Sequence, residues 1–467
     1  MRSGPGWSVT LTVTLTLTLM LTLTLMSLPG GEGASIVYRE VGNMTGHLYE
    51  LERMYPGRAA VQTIGVTPIG TEMVVLVVSN RQPHLALGTR TDPVVLVVGG
   101  LEGDSAGIES GLAAAFAEEL LEGSGGVGPE SALLDDGAVV FLPNANPDGA
   151  EQHMKSNSQG IVIASDFPGR NIPGAPESGG SAGETQVLTQ WILSLHPTLI
   201  LNLHAGEGVK VVAFPWHSSI DGSVRTALPP DEPIFTDLGL TYASRVPGER
   251  SPDFPTGVIN AAAVPAISGP GTMEDWAAAF AGVPALSIHF AESYQPPISA
   301  LHGLWEDNKA ALLMTSRRAV MALQGAVTDE TGNNVLSEAV CVVEAFATGM
   351  TIRVSPVTGR WHHLVPEGTY EVTCSAPGRT AITHTHVLSS TADFGGDAPI
   401  QQPALMYYEL PEAASGPSPT PEFATPANRV PLNIFLWFLF IVQLGLLGCA
   451  CVYGVVARNL TKNEAQV

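Results

Sequence analysis

Short apolar runs that alternate with helical stretches are the feature that most constrains the fold of this chain. Runs this uniformly apolar are typical of strands buried on both faces, which occur mainly in parallel sheets covered by helices. The runs lie at 73–78, 94–98, 139–142, 198–203 and 284–290. Helical patterns separate them, for example at 111–122 and 184–195. Together they predict an α/β domain over 35–323, with a mixed, mostly parallel sheet and helices on both faces.

A second, smaller domain is predicted at 324–410. Its strand patterns are short and are divided by turn sequences such as Glu-Thr-Gly-Asn at 330–333, which is typical of a β-sandwich. Cys341 and Cys374 both fall in predicted strands. In an oxidising compartment they would form one disulfide across the sandwich, although two buried free thiols would leave the same sequence.

The two ends of the chain predict its compartment. Residues 1–34 contain a long leucine- and threonine-rich run followed by small residues, typical of a secretory signal, with an uncleaved signal anchor as the alternative. Residues 432–457 are apolar and long enough to cross a bilayer as one helix. Because Arg458 and Lys462 follow at once, the tail 458–467 is expected in the cytosol. We therefore expect a single-pass type I membrane protein of the secretory pathway or plasma membrane.

Two further segments agree with this topology. Residues 411–431 are rich in Pro, Ala, Ser and Thr and are expected to form an extended stalk between the domains and the membrane. Asn43 begins an Asn-Met-Thr sequence and would be a glycosylation acceptor on the lumenal side.

Charge excludes one class of partner. The chain has 21 basic and 44 acidic residues and a net charge of −23. Such a surface repels polyanions and attracts basic partners, so we expect no nucleic-acid ligand.

One histidine ends a predicted strand where a hydrolytic metal site would be expected. A catalytic zinc takes three protein ligands and leaves a fourth position for water, so His204 alone cannot hold it. The upstream turn at 99–107 contains no histidine. His204 is then a hydrogen-bonded histidine at a strand end, unless Glu102 and Asp104 join it in an oxygen-rich metal site.

Several segments name a family by their order along the chain. They lie at 45–51, at the Asn-Pro-Asp-Gly turn 146–149, at the Gly-Thr-Met-Glu-Asp-Trp segment 271–276, and at 304–313 and 325–333. In this order they resemble zinc metallocarboxypeptidases of the carboxypeptidase N/E type. The resemblance implies a carboxypeptidase-like first domain and a transthyretin-like β-sandwich as the second.

Carried over by position, the resemblance implies a degenerate zinc site. His204 takes the position of one zinc ligand, while Glu102 and Ser105 take the positions of the other two. His289 stands where the family has the glutamate that activates water. Since a serine hydroxyl is a poor zinc ligand, two ligands and the general base are substituted. In this the chain resembles the inactive third domain of carboxypeptidase D.

The family's binding site for a substrate's C-terminal carboxylate can be aligned in two ways. Without a gap, its Asn-Arg pair falls on Ala164 and Ser165. With an insertion, Arg170 supplies the arginine, whose planar fork suits a carboxylate. The ungapped alignment leaves the chain without this binding residue.

These observations predict a membrane-anchored carboxypeptidase-like protein that is catalytically inactive and binds a peptide or protein ligand, with no cofactor. One alternative is an active zinc carboxypeptidase that removes C-terminal basic residues. Another is a structural or trafficking protein in which the groove is not used.

Overall fold

The structure is a computed structural model that describes most of the two predicted domains. It covers residues 34–126, 128–169, 179–217, 228–248, 253–264, 266–346, 349–388 and 403–413. Almost all of the predicted signal, Arg170, most of the predicted stalk, and the predicted span and tail lie outside these residues. Within the covered ranges, no helix has both the length and the apolar composition to span a bilayer.

The first domain is built on one large sheet. Its strands in the described part of the chain are β1 (Ala59–Val66), β2 (Glu72–Val78), β3 (Val94–Val98), β4 (Ala138–Leu142), β5 (Leu199–Ala205), β6 (Val211–Phe214), β7 (Val258–Asn260) and β8 (Ala285–Ala291). They are ordered β1-β2-β4-β3-β5-β8-β6-β7. The central strands β4, β3, β5 and β8 run parallel, whereas β1 and β2 at one side and the β6–β8 pair are antiparallel. The prediction of a mixed, mostly parallel sheet is confirmed.

Helices cover both faces of this sheet. They are α1 (Val41–Met54), α2 (Ala106–Gly123), α3 (Pro129–Asp136), α4 (Pro147–Gln152), α5 (Gly183–Leu195), α6 (Glu232–Ala243), α7 (Met273–Trp276) and α8 (Ile298–Arg317). Alternate strand residues point to opposite faces. Accordingly, Val95 and Val97 pack with α2 and α8 in one core, while Leu96 packs with Leu188 and Ile192 of α5 in the other.

A capping residue explains why the chain turns into α4. The side chain of Asn146 accepts a hydrogen bond from the backbone N–H of Gly149 (3.0 Å), and Pro147 occupies the first helical turn. Asn is a favoured N-cap and Pro a favoured first helical residue. The Asn-Pro-Asp-Gly sequence therefore starts a short helix.

The second domain consists of two small sheets that share a core. The strands are β9 (Leu323–Asp329), β10 (Val340–Val343), β11 (Ile352–Arg353), β12 (Arg360–His363), β13 (Gly368–Ser375), β14 (Ile382–Leu388) and β15 (Met406–Leu410). One sheet is β11-β10-β13-β14 and is antiparallel; the other is β12-β9-β15, in which β15 runs parallel to β9. Trp361 of one sheet packs on His386 of the other, with ring centroids 5.6 Å apart.

The disulfide lies within one sheet. Cys341 and Cys374 are joined by a bond of 2.00 Å and are direct register partners on the neighbouring strands β10 and β13. The predicted pairing is confirmed, but the bond joins neighbouring strands of one sheet and does not run across the sandwich, because both buried cysteines belong to that sheet. At the end of the domain, the backbone N–H of Thr380 donates to the carbonyl of Pro411, and the backbone N–H of Ala413 donates to the carbonyl of Gly378. Residues 411–413 are therefore hydrogen-bonded to the sandwich.

Candidate functional site

Two neighbouring parallel strands bring a set of polar side chains together. In the pairing of β5 with β8, Asn202 lies opposite Ser287 and His204 lies opposite His289. Residues two apart on a strand share a face, so all four side chains lie on one face near the carboxyl ends of these strands. In an open α/β sheet this edge is where ligands bind.

A buried carboxylate is the centre of this cluster. Glu274, from α7, is 2% exposed. Its Oε1 accepts hydrogen bonds from the amide of Asn202 (2.7 Å) and the hydroxyl of Ser287 (2.6 Å), and it lies 3.7 Å from Nε2 of His204. Although burial opposes ionisation, the close contact with His204 and the nearby charges of His217 and His204 hold the pKa of Glu274 below its ordinary value. The carboxylate is therefore ionised.

His204 carries the opposite charge. Burial disfavours that charge, but the close contact and charge of Glu274, with help from Glu109 and Glu207, raise the pKa of His204 to about 9. The amide nitrogen of Asn202 also lies 2.7 Å from Nε2 of His204. Because an amide nitrogen only donates, this contact competes with the proton that Glu274 favours on Nε2. Turning the amide would set its oxygen against the Glu274 carboxylate, so the hydrogen bond from Asn202 to Glu274 fixes the amide as it stands.

His289 is neutral beside it. The two imidazole rings stack with centroids 4.9 Å apart. Nδ1 of His289 lies 3.4 Å from Oε2 of Glu207. Burial lowers the pKa of His289 to about 4, and the charge of His204 acts in the same direction, against the close contact with the carboxylate of Glu207. At neutral pH His289 is an uncharged ring packed into the cluster.

A second histidine–carboxylate pair lies beside Glu274. Nδ1 of His217 is 2.8 Å from Oδ1 of Asp275, and the backbone N–H of His217 donates to both carboxylate oxygens (2.9 and 3.1 Å). Burial opposes the charge of His217, but Asp275 raises its pKa above the ordinary value. Oγ of Ser287 is 3.5 Å from Nε2 of His217, yet its hydrogen bond to Glu274 is much shorter. The serine proton is therefore directed to a carboxylate.

The turn that follows β3 places its side chains in separate environments. Lys155 Nζ lies 3.0 Å from Oε2 of Glu102. Burial raises the pKa of Glu102, while the charge of Lys155 opposes this rise. Oγ of Ser105 donates to the backbone carbonyl of Glu102 (3.3 Å). Asp104 lines a different cavity from Glu102, so the structure does not bring Glu102, Asp104 and His204 together as an oxygen-rich site.

A fully buried glutamate ties the two strand ends to each other. Glu109, on the first turn of α2, accepts hydrogen bonds from the backbone N–H groups of Gly100 (2.8 Å) and Ala205 (3.0 Å). Burial raises the pKa of Glu109 to about 7, against the influence of His204 and these donors. Glu109 thereby fixes the turn after β3 relative to the end of β5.

These side chains line a cavity of about 200 Å³, called here the central cavity. Its charged and titratable lining residues include Glu102, Lys155, His204, Glu207, Glu274 and His289. Ala164 and Ser165, where the ungapped alignment placed the family's Asn-Arg pair, also line it. Just after them, the backbone N–H of Phe167 donates to the carbonyl of Gly271 (2.9 Å). Arg170 lies outside the described residues.

Sequence reasoning named two of the residues in this cluster and missed the rest. His204 and His289 were singled out, but Asn202, Ser287 and Glu109 were given no role. Asn202 and Ser287 could have been found from sequence, because Asn-x-His and Ser-x-His each put two polar residues on one face of an otherwise apolar strand.

Asn43, the predicted glycosylation acceptor, is exposed on α1.

Comparison with known proteins identifies the family. The Peptidase_M14 model, described as zinc carboxypeptidase, matches residues 44–311, which is more than half of the chain. The chain belongs to the zinc carboxypeptidase family. Carboxypeptidase D of Drosophila melanogaster is 27% identical over 350 residues, which are 70% of this chain and 24% of that protein. Carboxypeptidase M of Mus musculus is 25% identical over 359 residues, 73% of this chain and 78% of that protein.

These relatives are distant. This zinc carboxypeptidase family member is also 26% identical to the human carboxypeptidase N catalytic chain over 372 residues, and it spans about a quarter of the length of carboxypeptidase D. Among solved structures, carboxypeptidase A from Helicoverpa armigera superposes with a TM-score of 0.48 at 15% identity, covering 66% of this chain and 80% of that chain.

Zinc is the metal that the family name implies, and the donor set here does not fit it. Of the three positions that correspond to ligands by resemblance, His204 offers an imidazole whose raised pKa favours a proton over a metal. The carboxylate of Glu102 faces an ammonium group. Ser105 offers a hydroxyl that already donates to a backbone carbonyl, and hydroxyls are not among the usual zinc ligands.

Proposed function

We propose that this member of the zinc carboxypeptidase family is catalytically inactive and binds a peptide or protein ligand in the central cavity. One observation supports this most directly: a cavity lies at the carboxyl edge of the sheet, and the ion pair of His204 and Glu274 forms part of its lining. A hydrolytic zinc activates its water with the help of a glutamate base. Here the corresponding position is a neutral histidine, His289.

The subfamily and anchoring are part of the same proposal. The protein is of the carboxypeptidase N/E type, with a transthyretin-like second domain, and is held in the secretory pathway or at the cell surface by one span at 432–457. Asn43, on the lumenal side, carries a glycan. Treatment with an N-glycosidase should increase the mobility of the wild-type protein and leave Asn43→Gln unchanged; an unshifted wild type would remove the support for this topology.

Zinc content tests inactivity. The purified full-length protein is compared with a variant that restores the family's residues, Glu102→His with Ser105→Glu and His289→Glu. We expect negligible zinc in the wild type by elemental analysis and a gain of zinc in the restored variant. Near-stoichiometric zinc in the wild type that disappears in His204→Ala, together with cleavage of peptides ending in Lys or Arg, would replace this proposal with an active carboxypeptidase.

Ligand binding is tested with a defined probe. A fluorescent peptide with a free C-terminal arginine is compared with its C-terminal amide, because two cations, Lys155 and protonated His204, line the cavity and would pair with a carboxylate in competition with Glu102 and Glu274. Fluorescence anisotropy should show tighter binding of the free acid by the wild type. The difference should vanish in His204→Ala. Equal binding of both peptides by the wild type would argue that the cavity does not hold a C-terminus.

A further inference from the structure

A second, larger cavity adjoins the central cavity without sharing a lining residue with it. It encloses about 460 Å³ and is called here the Tyr38–Tyr294 cavity. Its lining includes Tyr38, Asp104, Asn144, His153, Tyr294 and Ile298. The turn after β3 separates the two cavities, because Glu102 lines one and Asp104 the other. A ligand in the larger cavity would therefore contact different side chains from one in the central cavity.

The charge of this cavity is negative. Three carboxylates line it, those of Glu40, Asp104 and Glu151. Arg39 also lines the cavity; its Nη2 pairs with Oε1 of Glu118 at 3.3 Å, while its buried Nη1 has no hydrogen-bond partner among the described residues. The three carboxylates thus outnumber this one guanidinium. Charge of one sign in a concave site attracts ligands of the opposite sign.

Asp104 is the carboxylate best placed to hold a ligand. It is partly buried, and one of its oxygens, Oδ1, is fully buried. Among the described residues it has no hydrogen-bond or ion-pair partner for its side chain. A partly buried carboxylate without a partner is unfavourable, because desolvation is not offset by a donor. A cation entering the cavity would supply that donor.

Two tyrosine rings on the cavity wall are held in place. The hydroxyl of Tyr38 donates to the carbonyl of Pro296 (2.6 Å). The ring of Tyr294 lies over Gly206, so closely that a Cβ at that glycine would approach ring atoms to 2.3 Å. Fixed aromatic rings attract cations through the negative potential of their faces. They also provide apolar area for the carbon part of an organic cation.

We propose that the Tyr38–Tyr294 cavity binds an organic cation, a guanidinium or alkylammonium group, whose charge pairs with Asp104. The size of the cavity and its apolar wall favour a cation with a carbon skeleton over a bare metal ion. The cation belongs either to a basic peptide side chain or to a free amine. This site does not depend on whether the central cavity binds a peptide.

The test uses benzamidine, a guanidinium-like aromatic cation, and benzamide, its neutral counterpart. Isothermal titration calorimetry of the full-length protein should show saturable binding of benzamidine and none of benzamide. Asp104→Asn should weaken benzamidine binding at least tenfold. Glu72→Gln, which removes one charge from an exposed position outside this cavity, and His204→Ala should bind it as the wild type does. Absence of saturable binding, or binding unchanged by Asp104→Asn, would overturn the proposal.

A second variant protects the test against misfolding of the first. Ile298 is 80% exposed at the cavity, so Ile298→Arg removes little buried contact and places a cation there. It should abolish benzamidine binding with an unchanged melting temperature. Agmatine and an acetylated, amidated Gly-Arg-Gly peptide then distinguish the two sources: tighter binding of the peptide indicates a basic side chain, and tighter binding of agmatine a free amine.

Discussion

The imidazole ring of His204 stacks on that of His289, with centroids 4.9 Å apart and planes inclined by 13°. The two residues are register partners on β5 and β8, so their separation is fixed by the sheet. Two cations cannot share so short a distance in a buried site at low cost. Glu274 raises the pKa of His204 to about 9, whereas burial and, to a smaller extent, the charge of His204 lower the pKa of His289 to about 4. The pair therefore holds one positive charge at neutral pH.

This coupling predicts a change in titration. In His204→Ala, the pKa of His289 should rise from about 4 towards its ordinary value, because the charge of His204 is one cause of the lowering. Burial, the larger cause, remains. NMR of histidine-labelled protein as a function of pH would measure this. A His289 resonance that titrates identically with and without His204 would show that the rings are not coupled.

Loss of Glu274 should destabilise the protein. Glu274→Gln leaves protonated His204 without its buried partner, and we expect a loss of about 2–4 kcal/mol in the free energy of unfolding at pH 7. Denaturant unfolding would measure it, with Glu72→Gln as the matched exposed control, which should change stability by less than about 0.5 kcal/mol. In His204→Ala the further effect of Glu274→Gln should be smaller by about 1 kcal/mol or more; simple additivity would contradict the ion pair.

Glu109 should make stability depend on pH. Burial raises its pKa in the folded protein to about 7, above the ordinary 4.5. As the pH rises, Glu109 therefore loses its proton at a lower pH in the unfolded chain than in the folded protein. The contribution of protonated Glu109 to stability is fully present below pH 4.5 and is lost as the pH rises through 7. The shift corresponds to about 3 kcal/mol.

The measurement is a comparison of variants. Between pH 4.5 and 8, the wild type should lose about 3 kcal/mol more unfolding free energy than Glu109→Gln, which cannot ionise. Glu109→Gln should be less stable than the wild type at low pH, since an amide group cannot accept both backbone N–H bonds. Parallel pH profiles for the two proteins would show that Glu109 does not titrate in this range.

Two glycines in one turn provide a matched pair. Gly206 and Gly208 both have positive φ, +101° and +68°, so alanine is strained at either position. A Cβ at Gly206 would also strike the ring of Tyr294, whereas no atom lies within 4 Å of one at Gly208. Thermal unfolding should therefore show a larger loss for Gly206→Ala, by about 1–3 kcal/mol. Equal losses would mean that Tyr294 moves aside freely.

The disulfide should contribute to the stability of the second domain. Cys341 and Cys374 are separated by 33 positions in sequence, and closing a loop of this length removes about 3–4 kcal/mol of unfolded-state entropy at 25 °C. Replacing both cysteines by alanine should lower unfolding stability by at least that amount. A reducing agent should destabilise the wild type and have no effect on the double variant; a wild type insensitive to reduction would contradict this role.

The central strands could be predicted from sequence because a strand buried on both faces is a short, continuously apolar run. The runs 73–78, 94–98 and 139–142 correspond closely to β2, β3 and β4. Helix α2 was predicted at its apolar centre but begins earlier, at Ala106. The first turn of α2 carries Glu109, whose charge broke the apolar pattern there although the side chain is buried.

Sequence by itself determined the α/β class and the family, because each follows from local composition or from residue order along the chain; that Glu102, Ser105 and His289 stand at substituted positions stays a prediction from the resemblance. Only the tertiary structure decided what these residues contact. Asn202 and Glu274 are 72 positions apart, and His217 and Asp275 are 58 apart. Such pairs form because strand order and helix packing bring distant segments to one edge of the sheet, and burial there sets their charges. A local pattern shows which apolar strands are buried, but it encodes neither the strand order nor the burial of these polar side chains.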